Sequence, residues 1–209
     1  MVYDRIHKAL LTKNNQNALI EMYSVSQAEH KRAGKLTMSV GTSREKDLKY
    51  LLKHVLGSDF DGDLNDNLSE DFNYRSERFS IKHISDKAGS GGIKLKWTSD
   101  NKQARAYINK MLELNQEDYV HQLIVYIDTK SRKISFHLIL AGTVMDGVRK
   151  FGEGAFTSST GNNNRGIEFT TQMRQYIFSN TEFKVEMTNV TLAEHMHDYR
   201  LEILKKYVL

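Results

Sequence analysis

The sequence predicts an α/β fold of the α+β kind, a mixed central β-sheet flanked by helices. Three observations point there. Apolar residues recur at helical spacing near the N-terminus, in mid-chain and toward the C-terminus. Between those stretches lie segments that alternate apolar and polar, or run almost wholly apolar, as strands do. The order (helix, three strands, helix, two strands, then a further mixed region) is satisfied by an α/β sandwich.

Ala18, Leu19, Met22 and Val25 give the first helix its apolar stripe, and Gly34 is placed to stop it. A second helix is predicted from Ser43, with Leu48, Leu51, Leu52 and Val55 facing inward and Gly57 as its C-terminal stop. Asp59 to Glu70 reads as loop. Strands are predicted at Phe72–Arg75, Arg78–Ser85 and Ile93–Thr98. In the second, Phe79, Ile81 and His83 share one face while Ser80, Lys82 and Ile84 share the other. Gly89, Gly91 and Gly92 suggest a hairpin joining the last two. A helix over Asp100–Leu114 would turn Ala104, Ile108, Met111 and Leu112 inward, and Trp97 belongs in the core. Gln122–Asp128 is nearly all apolar and so should be a central strand, followed by a strand at Lys133–Ala141. The stretch to Gly166 is rich in Gly and Asn and reads as an irregular appended region. A helix near Thr171–Phe178, a strand near Phe183–Met187 and a terminal helix from Leu192 complete the chain.

With 209 residues, 39% of them hydrophobic, the chain suits a single domain with a core of its own. No cysteine is present, which excludes disulfides and thiolate metal sites and suits a reducing cytoplasm. No cleavable signal is expected at the N-terminus, and the apolar runs are too short to span a bilayer. Proline is absent, so the 13 glycines and the Asn, Asp and Ser clusters must shape the loops. The net charge is only +4 but is unevenly spread. Six acids and no Lys or Arg fall between Asp59 and Asp71; nine bases and three acids fall between Tyr74 and Lys110. An acidic cluster beside a basic stretch suits a metal site facing a polyanion, although most such blocks are solvated surface.

The informative stretch runs from Asp71 to Lys82. Asp71 opens one predicted strand and Lys82 lies inside the next, and paired strands sit about 5 Å apart. A carboxylate there can hold Mg²⁺, and a neighbouring lysine can orient or deprotonate water and offset transition-state charge. Glu45, in the first turn of the second predicted helix, can supply a second carboxylate, and the carbonyl of Ile81 a third oxygen. Mg²⁺ needs few protein ligands because it keeps waters.

Asp71, the Ser80-Ile81-Lys82 triplet and the Ile-Lys-Leu-Lys-Trp-Thr strand that follows together resemble the core of type II restriction endonucleases of the PD-(D/E)XK superfamily. The resemblance covers residues 43 to 141. It implies a restriction-endonuclease-like sheet, hydrolysis of double-stranded DNA with Mg²⁺, and catalytic roles for Glu45, Asp71 and Lys82, with metal contacts from Glu45, Asp71 and Ile81. Two departures stand out: Glu70 rather than proline precedes Asp71, and Ser80 occupies the place of the second acid. Family members with Ser-x-Lys carry that acid elsewhere, often on a helix, which Glu45 fits; Asp61 and Asp63 are the contenders. Residues 142–190 would form the DNA-recognition region. There Asn162, Asn163, Asn164 and Arg165 resemble the polar loops with which such enzymes read bases, since Asn can bond adenine and Arg guanine bidentately. Lys94 and Lys96 are candidate phosphate contacts. A palindromic site implies a homodimer. The alternatives are a repair or junction-resolving nuclease of the same fold, or a non-catalytic DNA-binding protein.

Other motifs carry less. Asp59 to Glu70 spaces oxygens almost as a calcium loop does, but Leu64 stands where glycine is required. His195 and His197, two apart on a helix, point to different faces. His83 faces away from Lys82, which suggests a structural role.

Overall fold

The computed structural model describes residues 2–32, 38–62, 70–85, 92–96, 101–115, 118–158, 166–192 and 200–208. The helices are α1 (Val2–Leu11), α2 (Lys13–Arg32), α3 (Met38–Leu56), α4 (Asn101–Glu113), α5 (Ala141–Phe151), α6 (Thr171–Ser179) and α7 (Arg200–Tyr207). The strands are β1 (Phe60–Asp61), β2 (Phe72–Tyr74), β3 (Glu77–Ser85), β4 (Lys94–Lys96), β5 (His121–Asp128), β6 (Lys133–Ile139), β7 (Phe156–Ser158), β8 (Ile167–Phe169) and β9 (Phe183–Met187). Trp97, Asp63, Asn162, Asn163, Asn164, Arg165, His195 and His197 lie outside the described residues.

Among the described residues the strands form two sheets: a six-stranded sheet in the order β1-β2-β3-β5-β6-β9, and a small one in the order β4-β8-β7. The large sheet is mixed, because β3 and β5 run parallel while its other neighbours are antiparallel. β5 lies at its centre and is buried on both faces, hence its nearly unbroken apolar sequence. Leu123, Val125 and Ile127 face one core, shared with Ile6, Leu19 and Leu51 of α1, α2 and α3 and with Leu204 of α7. Ile124 faces the other, shared with Val144, Val148, Met173 and Ile177 of α5 and α6 and with Ile167 of the small sheet. The expected alternation thus builds a sandwich with helices on both sides.

Phe60, Phe72 and Phe79 stack across three strands, with centroids 4.9 and 4.7 Å apart. This stack fixes the register of β2 on β3, and with it the position of Asp71, one residue before Phe72. The β2–β3 turn is Arg75-Ser76, both left-handed at φ 50° and 68°. Arg75 is clamped to Asp59 at 2.8 Å.

Several expectations are corrected. α3 begins at Met38, not Ser43, and the Ser43 hydroxyl, inside the helix, bonds His30 Nε2 (2.9 Å). Glu45 is therefore in its second turn, not its first. Gly57, at φ 75°, does end the helix in the left-handed conformation expected of it. β4 makes no hairpin with β3: it pairs with β8 in the small sheet, while β3 has β2 and β5 as its neighbours. Leu112 of α4 points outward, at 37% exposure. The stretch after Ala141 is not an appendage. It contains α5, β7 and β8, which pack into the second core, and β9 joins the main sheet beside β6.

Candidate active site

β2 pairs with β3 only from Glu77 to Phe79. From Ser80 onward, among the described residues, no strand covers that edge of β3. Backbone groups of residues two apart point the same way along a strand, so Ile81 turns its N–H and C=O toward the uncovered edge, beside Asp71. Asp71 fills the gap. Its N–H bonds the Phe79 carbonyl (2.7 Å), and its Oδ2 accepts from the Ile81 N–H (2.6 Å) and the Ser80 hydroxyl (3.0 Å). Lys82 Nζ stands 3.9 Å from the same oxygen. Ser80, standing where an acid was expected, thus serves as a donor that orients Asp71.

Glu45 reaches the edge from α3. Burial raises its carboxyl to about 7; Lys82 opposes that shift, Asp71 adds to it and Lys49 opposes it. Glu45, Asp71 and Lys82 therefore share one electrostatic environment. Two carboxylates drawn together by the fold, one of them partly desolvated, form a place where a divalent cation relieves repulsion. The donors on offer are hard oxygens: two side-chain carboxylates and, at the open edge, the Ile81 carbonyl. They fit Mg²⁺. Among the described residues there is no group of three or more His, Asp or Glu able to hold a metal.

His83 lies on the α1–α3 face of β3. Its Nε2 is 3.2 Å from the Tyr23 hydroxyl and its Nδ1 4.0 Å from Glu45 Oε1. Burial, then the nearby Arg44 and Lys82, lower the ring to about 3. This contact with Glu45 was not legible in the sequence, because Tyr23, Glu45 and His83 are far apart in the chain.

On the opposite face of β3 a cleft opens, lined by Arg78, Lys82, Lys96, Tyr107, Lys110 and Gln122 among others. Lys96 Nζ lies over the Tyr107 ring at 5.4 Å, and Lys94 Nζ is 3.8 Å from Glu168 Oε1. Arg78 and Lys110 were not singled out beforehand. Their signal was the density of basic residues between Tyr74 and Lys110. Asp61 is on β1, whose Asp61 and Asn73 are partners. No helix is long and apolar enough to cross a membrane among the described residues.

A solved structure of a restriction endonuclease in complex with substrate DNA has the same fold: TM-score 0.65, 23% identity, covering 97% of this chain and 91% of that one. No curated protein matches the sequence. The family model of restriction endonuclease ThaI matches residues 5–198. That match takes in the open edge of β3, the Asp71–Lys82 pair and the basic cleft together, and by it the chain belongs to the ThaI restriction endonuclease family, as a type II site-specific endonuclease of double-stranded DNA.

Proposed function

We propose that the phosphodiester is hydrolysed at the open edge of β3 with one Mg²⁺ held by Glu45, Asp71 and the carbonyl of Ile81. The observation that carries this reading is the convergence of Ile81 N–H, Ser80 Oγ and Lys82 Nζ on one oxygen of Asp71. Mg²⁺, when bound, supplies Lewis acidity toward the phosphate and toward a bound water. The residues do the rest. Ser80 and the Ile81 N–H hold the Asp71 carboxylate in one orientation, so no reorganisation is needed as charge develops. Lys82 lies beside the site of attack, where its ammonium offsets charge on the phosphorane and orients the water. α3 brings Glu45 to the opposite side of the same edge.

In this reading residues 43–141 form the catalytic core of a single nuclease domain, and residues 142–190 choose the sequence. Asn162, Asn163, Asn164 and Arg165 read base edges, while Lys94 and Lys96 touch phosphates, which are alike at every base pair. A two-fold site calls for a homodimer working in the cytoplasm on intruding DNA.

The test is plasmid cleavage. Discrete bands should form with Mg²⁺ or Mn²⁺, and Ca²⁺, which takes the same oxygens with looser geometry, should suppress them. Full activity in excess EDTA would end the metal assignment. Glu45→Gln should lose cleavage, whereas Asp61→Asn should not; the reverse would assign the second acid to the acidic loop.

A further inference from the structure

The α1–α3 face of β3 carries a pair of polar groups that the hydrolytic scheme does not use. Tyr23 is fully buried, and among the described residues its hydroxyl has one partner, His83 Nε2 at 3.2 Å. The rings meet edge to face, with centroids 5.7 Å apart at 72°. The Arg44 guanidinium lies over the other ring, 5.8 Å from the Tyr23 centroid, and is itself held by Gln27 at 2.9 Å. His83 Nδ1 is buried and has no hydrogen bond among the described residues. Glu45 Oε1 stands 4.0 Å from it.

These contacts favour one tautomer. If Nε2 carried the proton, the Tyr23 hydroxyl would accept, its own hydrogen would need a further acceptor, and the bare Nδ1 lone pair would face the Glu45 carboxylate, acceptor against acceptor. If the hydroxyl donates to Nε2, that hydrogen is satisfied and the ring proton must sit on Nδ1. The proton then faces Glu45. At 4.0 Å the contact is an approach rather than a hydrogen bond, and the relay requires it to tighten when a ligand binds.

We infer that Tyr23 and His83 form a positioning relay for Glu45: the tyrosine hydroxyl sets the histidine tautomer, and the Nδ1–H so fixed donates to Glu45 Oε1, leaving Oε2 for the metal. The inference rests on the reading of Glu45 as a metal carboxylate. It makes His83 the outer support of that ligand, and it explains why an imidazole stands next to Lys82 on the strand. Strand alternation turns Lys82 toward the substrate side and His83 toward the carboxylate's helix.

Two measurements test it, neither of them catalytic. The first is the ¹⁵N spectrum of the His83 ring in the metal-free protein, which should report the Nδ1–H tautomer; an Nε2–H ring overturns the relay. The second is Mn²⁺ affinity by calorimetry. His83→Leu should weaken Mn²⁺ binding about 10–100-fold, the usual range for losing a partner behind a metal ligand, and His83→Asn, whose side-chain amide can donate from the same place, should recover most of it. A residue serving only to fill space would not distinguish the amide from the leucine in this way. Tyr23→Phe deletes one oxygen and decides the matter even if His83→Leu does not fold: it should mix the tautomers and weaken Mn²⁺ binding, and unchanged affinity overturns the proposal. Glu45→Gln separates the two ideas. If it weakens Mn²⁺ binding and the His83 and Tyr23 variants do not, the relay alone fails; if it leaves Mn²⁺ binding unchanged, the metal reading of Glu45 fails with it.

Discussion

The two faces of the six-stranded sheet differ in what they do with charge. On the α1–α3 face, polar groups are few, deeply buried and locked together. Asp47, with a side chain 1% exposed, accepts from Ser26 at 2.5 Å and from Arg200 Nε at 2.6 Å, and Arg200 also reaches Glu29 at 3.1 Å. This cluster ties α7 to α2 and to α3, two residues along α3 from Glu45. On the α4–α6 face, basic side chains stand open around a cleft. Successive residues of β3 serve the two sides in turn, His83 the locked one and Lys82 the open one. A strand can therefore carry support and chemistry in adjacent positions, each tuned without disturbing the other.

Four experiments put this contrast to the test. The largest effect should come from Arg200→Ala, which leaves the Asp47 carboxylate buried without its cation. It should lower unfolding stability by about 3 kcal/mol, and pairing it with Asp47→Asn should restore part of the loss in urea melts. A loss within a few tenths of a kcal/mol would mean that the cluster is surface-like. On the open side, Lys82→Ala should cut the cleavage rate ~10²-fold or more with little change in DNA affinity or stability, because the role proposed for it is confined to the transition state. Unchanged plasmid cleavage would move the chemistry away from the β3 edge.

Lys96→Ala and Lys110→Ala should have smaller effects. Each should weaken cognate and random DNA alike and reduce the slope of log affinity against log salt by about 1. A loss confined to cognate DNA would make the residue a base reader. The smallest effect concerns pH. His137, on the α6 side of β6, packs against Phe178 at 4.9 Å between ring centroids. Burial first, and then Lys184, lower its pKa to about 4, with Glu186 opposing. The unfolded chain takes up that proton as pH falls through about 6.5, and the folded one only near 4. His137 therefore costs no stability above pH 6.5 and progressively more as the pH falls below it. Comparing His137→Gln with the parent between pH 7 and 5 removes the opposite contribution of Glu45, whose raised pKa favours the folded state at lower pH. The parent should lose ground to the variant on acidification; parallel curves would show that His137 titrates alike in both states.

What could be read beforehand followed from period and composition. The central position of β5 followed from its apolar run, and the β2–β3 pair with Asp71 and Lys82 at one edge followed from alternation and spacing. α5 was missed because Gly142 and Gly147 interrupt its stripe. Gly147 has a packing reason: a Cβ there would come within 2.6 Å of Met173 Sδ, so α6 needs the bare backbone. The partner of β4 was misassigned because glycines between two strands suggest a turn but do not name a neighbour. The contact between His83 and Glu45 joins a helix to a strand through tertiary packing, which no local pattern encodes.

Asp71 has one more consequence, for aggregation rather than catalysis. A strand edge with free N–H and C=O groups is a template on which another chain can add. The carboxylate of Asp71 occupies the first free N–H beyond β2 and puts a charge there, so it works as a gatekeeper of the sheet besides the metal role proposed for it. An inactive enzyme meant for trapping intact DNA is therefore better made at Lys82, which guards nothing, than by truncating Asp71, which would uncover the edge.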